Sequence, residues 1–294
     1  MFEQVDVAAI SFVPEKFELQ SNADRLEQMF RKAAAGGARL ALAPEGILEG
    51  YVVNEIISGE VPAARMEEVA LTLRGSVIRR FRTLARELDM SLAFGFAERI
   101  GRDVFNCAAF IDQAGRLCGK YHKMQLAEGS HRGWWFNRLG RKSRAFTTPL
   151  GRCGFLICND RWNEDIARIP VLDGARYLLI PSYGDMSKNQ DRAVLARARE
   201  NGVPIVEANV GVTLIISKGE IVSLSRRAET VTLATIDIPA AASPGNRDRH
   251  EHAFLSWRRA EMPRRYKARM ERLRAKKKPP SRRNLHHDPK GAPV

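Results

Sequence analysis

Apolar runs alternate with amphipathic stretches along this chain, and the alternation predicts strands and helices in succession. Residues 5–12 (VDVAAISF) read as a buried strand. A helix then runs to Ala35, with Leu26, Met29, Phe30 and Ala33 on one face. Asn22 is expected to cap it, because its side-chain oxygen can accept from a free backbone N–H, and Gly36-Gly37 ends it. Residues 39–43 (RLALA) form a second strand, stopped by Pro44. Strand, helix, strand in this order implies parallel strands joined by a right-handed crossover.

The same order recurs. Residues 77–88 look helical, and residues 91–96 (SLAFGF) and 105–111 (FNCAAFI) extended, with Gly115 turning a hairpin into residues 117–120. Residues 127–146 are polar and aromatic-rich without a clean period and read as loop. Residues 153–158 (CGFLIC) form a core strand, and residues 166–173 a short helix interrupted by Pro170. Residues 177–180 (YLLI) are a strand closed by Pro181, and residues 192–200 a helix. Residues 205–209 (IVEAN), 212–216 (VTLII) and 231–238 complete the strands, and no internal repeat is apparent. The pattern is that of an α/β protein.

Composition narrows the class. With 294 residues, 44% of them hydrophobic, and only 4 Cys, the chain is neither a disordered polymer nor a disulfide-stapled miniprotein. The opening residues lack a basic stretch followed by an apolar one, so no secretory signal is expected. The longest apolar runs, such as residues 154–158, are strand-sized, and no membrane span is expected. A cytoplasmic protein with free thiols follows as the expectation.

The net charge of +14 is not spread evenly: residues 257–294 hold 14 Lys and Arg against 3 Asp and Glu, and the rest is close to neutral. The chain thus divides into a body, residues 1–256, and a basic arm, residues 257–294. After Pro263 the arm suggests a helix with Tyr266, Met270 and Leu273 on one side, stopped by Pro279-Pro280, with disorder beyond. A solvated or dimer-embracing arm is favoured over an electrostatic hold on nucleic acid or an anionic surface, because base-stacking aromatics are not interleaved with the charges.

Open α/β sheets place reactive residues where strands end. Glu45, Lys123 and Cys158 stand at such exits. Singly, each has a bland reading: a loop carboxylate, a solvated ammonium, a small buried hydrophobe. Together they make chemical sense. A thiolate attacking an amide or nitrile carbon needs a base for its proton, which Glu45 can supply. The oxyanion then needs a fixed positive group and a backbone N–H, roles open to Lys123 and the amide of Asn159. The six histidines offer no convincing Cys–His pair. No Cys/His spacing suggests a metal and no Gly-rich loop a nucleotide, so no cofactor is expected.

Four ordered segments resemble the nitrilase superfamily of carbon–nitrogen hydrolases. They are NADRLEQMFRKAAAGGARLALAPEGILEGY around Glu45, GKYHKMQL around Lys123, GRCGFLICNDRWNED around Cys158, and RARENGVPIVEANVG from Arg197. The resemblance covers roughly residues 5–240. It implies a four-layer α-β-β-α sandwich, a cofactor-free Glu-Lys-Cys triad, a homodimer or larger assembly, and a small amide or N-carbamoyl substrate. A nitrilase or an N-acyltransferase outcome at the same thiol, or a non-catalytic member that holds a polyanion through its arm, stands as the alternative. Family members carry a further Glu between the Lys and the Cys; here Glu128 is the only acid in that interval. Cys158-Asn159-Asp160-Arg161 is similar to N-carbamoyl-amino-acid hydrolases, which implies that Arg161 holds a substrate carboxylate. The alternative is an ion pair with Asp160, Glu164 or Asp165. Trp134, Trp135 and Phe136 either wall the pocket or pack against the body or a partner.

Overall fold

The computed structural model describes residues 3–241 and 243–277. Its first half supplies β1 (Glu3–Ser11), α1 (Leu19–Ala35), β2 (Leu40–Leu42), two short helices α2 (Val53–Ser58) and α3 (Arg65–Val69), and α4 (Ser76–Glu87). Then come β3 (Ser91–Ile100), β4 (Asp103–Ile111) and β5 (Leu117–His122). The second half supplies β6 (Phe146–Thr148), β7 (Gly151–Phe155), α5 (Glu164–Leu172), β8 (Tyr177–Ser182) and α6 (Lys188–Asn201). Strands β9 (Ile205–Asn209), β10 (Val212–Ser217), β11 (Glu220–Ser225) and β12 (Thr230–Ile238) follow, and α7 (Asp248–Lys277) closes the described chain.

The strands form two mixed sheets in the orders β12-β1-β2-β3-β4-β5 and β11-β10-β9-β8-β7-β6. β12 returns to the first sheet, antiparallel to β1 with Val5 opposite Ile236, which ties the end of the body to its beginning. One face of each sheet packs on the other: Val7, Leu42 and Phe110 meet Phe155, Leu179 and Val206. Outside the first sheet, Phe30 of α1 and Phe81 of α4 pack on Phe94. Outside the second, Ala167 of α5 and Val194 and Ala198 of α6 pack on Leu178 and Ile205. Because both faces of each sheet are covered, the central strands are continuous apolar runs rather than alternating ones. This is the α-β-β-α sandwich.

Several local expectations are corrected. Asn22 does not cap α1, which starts at Leu19. Its buried amide instead accepts from Glu15 N at 2.8 Å and donates to Glu15 O and Leu48 O, stapling two loops to the helix. Pro181 does not end β8. The partner strand β7 stops with Phe155 opposite Leu179, so beyond that point the ladder needs no donor on that side. Pro170 lies inside α5 and Pro263 inside α7. The arm's helix therefore starts at Asp248 and runs unbroken through residue 256, with Phe254 buried in the inter-sheet core and Met262 buried further along. The Pro279-Pro280 stop and the disorder expected after it lie outside the described residues.

Candidate active site

Both sheets deliver polar side chains to one buried place. Glu45 lies just past β2, Lys123 just past β5, and Cys158 past β7, where a tight helical turn, Cys158–Trp162, begins. Glu45 and Lys123 are fully buried, with Lys123 Nζ 2.6 Å from Glu45 Oε1. The same oxygen accepts from Asn106 Nδ2 of β4 at 2.6 Å, and Oε2 accepts from Tyr183 N at 3.1 Å. The Cys158 thiol donates to Tyr183 O at 3.7 Å. Tyr183 therefore touches the acid through its N–H and the sulfur through its carbonyl. Its ring stacks on Tyr51 at 5.1 Å, and Lys123 Nζ lies 6.0 Å from the Tyr51 ring centroid.

The turn that begins at Cys158 is held from several sides. Cys158 has φ 48°, a left-handed conformation that a non-glycine residue occupies only when its surroundings enforce it. Asp160 Oδ2 accepts from Ile157 N and from the Tyr121 hydroxyl, each at 2.9 Å. Gln125 Nε2 donates to Asn159 O at 3.0 Å. Through Tyr121 and Gln125 the lysine segment is thus fastened to the cysteine turn.

Charge follows position. Burial pushes the Cys158 thiol up, and Glu45 adds to this, while Lys123 and Arg161 pull the other way. Burial works against the Lys123 ammonium, but Glu45, Cys158 and Glu128 outweigh it and hold the group charged. Burial also pushes Glu49 up to about 7 and Asp160 up to about 6. Glu128 is buried on the loop after Lys123, its carboxyl raised by burial against the pull of Lys123, and it accepts from Asn137 Nδ2.

The remaining expected residues fall as follows. The Asn159 side-chain Nδ2 is buried with no partner among the described residues. Arg161 is fully buried rather than turned toward an open pocket, and it pairs with Glu207 of β9, not with a neighbouring acid. Asp160 is occupied as above, and Asp165 faces His250 Nδ1 at 2.7 Å. Trp134 packs on Tyr266 of α7 at 5.4 Å and on Phe136. Phe136 is the member of that aromatic trio lining the cavity beside the cluster, with Glu49, Tyr51, Val53, Met66, Asn106 and Asn137.

Sequence reasoning passed over Asn106, Tyr183 and Glu207. The signal was a polar residue inside an otherwise apolar strand, as in FNCAAFI and IVEAN. It also did not join Glu98, Cys107 and His122, whose ligand atoms lie within 4.8 Å of one another on β3, β4 and β5. The Glu98 carboxylate already meets Lys120 Nζ at 2.6 Å and His122 Nε2 at 2.5 Å, and burial keeps the Cys107 thiol neutral. These residues fit an internal ion-pair network better than a metal site.

Comparison with known proteins agrees with this geometry. The chain is 30% identical over 220 residues to N-carbamoylputrescine amidase of Oryza sativa subsp. japonica, covering 70% of each chain. It is 26% identical over 219 residues to a citrullinase of Francisella tularensis, covering 70% of this chain and 73% of the relative. The fold superposes on a crystal structure of an amidase from Nesterenkonia sp. with a TM-score of 0.67 at 21% identity, covering 86% of this chain and 96% of that one. The family model described as carbon-nitrogen hydrolase matches residues 6–243, a span that takes in strands of both sheets and all of Glu45, Lys123 and Cys158. The chain belongs to the carbon–nitrogen hydrolase family.

Proposed function

We propose that this carbon–nitrogen hydrolase cleaves a small amide or N-carbamoyl amine through a thioester on Cys158. The observation that carries the reading is the meeting of Glu45 and Cys158 on the two sides of Tyr183, with Lys123 against Glu45. Glu45 takes the proton of Cys158 as the sulfur bonds to the substrate carbon, and the carbonyl electrons move onto oxygen. Lys123 and the backbone N–H of Asn159 stabilise that oxyanion. Its collapse breaks the C–N bond, and Glu45 returns the proton to the departing nitrogen. Water then attacks the thioester with Glu45 as base, the C–S bond breaks, and the thiol is regenerated. Glu128 stands in for the family's additional carboxylate, its charge favouring the Lys123 ammonium.

Beside the cluster, a small cavity is lined by Glu49 and the amides of Asn106 and Asn137 among apolar side chains. The burial of Arg161 and its engagement by Glu207 support a role for it other than holding a substrate carboxylate. The likeness to a relative named N-carbamoylputrescine amidase supports an N-carbamoyl amine as the substrate class. The test is ammonia release from a panel of small amides, N-carbamoyl amines, N-carbamoyl amino acids and nitriles, with and without an added amine acceptor. Turnover of amides or N-carbamoyl amines above the other classes supports the reading. Nitriles as the best substrates, or acyl-amine products, point to the nitrilase or acyltransferase outcome instead.

A further inference from the structure

We infer that Arg161 is a catalytic residue whose guanidinium holds the Cys158 sulfur as a thiolate, both when it attacks and when it is expelled, and that Glu207 is the positioning residue that aims it. Arg161 Nη2 donates to Cys158 Sγ at 3.2 Å, and Nε donates to the Cys158 carbonyl at 2.7 Å, so the fork grips the nucleophile residue at two points. Its other terminal nitrogen, Nη1, is paired with Glu207, whose Oε1 also accepts from Ser182 Oγ at 2.9 Å and whose Oε2 accepts from Gln190 Nε2. Strand β8, strand β9 and helix α6 thus all contribute to the direction of one guanidinium.

The chemistry needs such a group. Lys123 is already bound to Glu45, and Glu45 disfavours negative charge on the sulfur. A guanidinium stays charged at every working pH and gives up no proton, so it stabilises the sulfur without entering the proton transfers. When the C–S bond of the thioester breaks, the electron pair returns to sulfur at the same contact. Glu45, Lys123, Arg161, Tyr51, Glu128, Asp160 and Glu207 are among the titratable and charged groups facing this cluster.

This inference rests on Cys158 as nucleophile, and its test needs no substrate. The full chain is alkylated with iodoacetamide across pH, modification is read at Cys158 by mass spectrometry, and folding is checked by circular dichroism. Arg161→Met is expected to raise the midpoint of alkylation by one unit or more, about a tenfold loss of thiolate at a given pH. Glu207→Gln keeps the guanidinium and removes the opposing charge, so it is expected to lower the midpoint. A pair out of electrostatic contact with the sulfur would leave the midpoint where it is in both variants. Shifts of one sign, or none, overturn the inference. If Arg161→Met does not fold, Arg161→Lys takes its place, with a smaller rise expected and an unmoved midpoint contradicting it. Wild-type protein that is not alkylated selectively at Cys158 counts instead against the nucleophile itself.

Discussion

Glu45, Lys123 and Cys158 stood out in the sequence only as a set: singly each has a bland reading, and it was their joint chemistry and their place inside segments that resemble the family that singled them out. Glu207 was not legible in the same way: its partner Arg161 lies 46 positions earlier, and only the stacking of β8, β9 and α6 joins them. Glu49 leads to a prediction of its own. Its carboxyl sits at about 7 in the folded chain against an ordinary 4.5, because burial disfavours the charge. The folded chain therefore retains a proton that the unfolded chain releases, and stability falls as pH rises from 4.5 toward 7. Glu49→Gln keeps an oxygen for the N–H of Ala97, which now donates to Glu49 Oε2 at 3.0 Å. The variant is expected to gain stability relative to wild type at pH 8 compared with pH 5, by roughly 3 kcal/mol at most. Urea unfolding at the two pH values measures this, and an unchanged difference contradicts it.

At the scale of elements, the central apolar runs located the strands, with residues 205–209 matching β9. Residues 153–158 overran β7, which ends at Phe155 before the turn at Cys158, and residues 91–96 fell short of β3, which runs to Ile100. The other errors concern elements held by tertiary contacts. Strand β11 is an edge with Ile221, Val222 and Leu224 exposed, and α7 offers few apolar residues before residue 262 to reveal its period. Besides Phe254 in the core and His250 against Asp165, the loop that carries Glu128 helps to hold α7. Ser130 N donates to Met262 O at 3.1 Å, Arg265 Nη1 to Leu126 O at 3.3 Å, and Arg258 Nη1 to Gly140 O at 2.7 Å. Gly129 is left-handed at φ +81°, and a Cβ there would lie 2.2 Å from Tyr266 N. Gly129→Ala is therefore expected to lower stability by about 1–3 kcal/mol and to slow ammonia release by shifting Glu128. Ending the chain at residue 256 is expected to do both more strongly. Thermal unfolding and turnover measured together test this, and a truncated chain of undiminished activity would refute the coupling of α7 to the loop. Several cations of the basic arm are thus engaged with their own chain rather than left for a polyanion.

For the molecule as a whole, the first sheet supplies the acid and the ammonium and the second supplies the sulfur, so the site exists only once the two sheets have closed on each other. That closure is a property of topology, invisible to local periodicity; the order of the resembling segments carried the information instead. No described helix is long and apolar enough to cross a membrane. Lys123→Met is expected to reduce ammonia release by about a hundredfold or more, as loss of an oxyanion-stabilising group does, with circular dichroism unchanged. The most direct measurement pairs ammonia release from the best small amide or N-carbamoyl amine with mass spectrometry of the protein during turnover. The expected result is an acyl or carbamoyl mass on Cys158 in the wild-type chain, and neither adduct nor ammonia from Cys158→Ala. Undiminished ammonia from Cys158→Ala, or an adduct carried by another residue, would contradict the account.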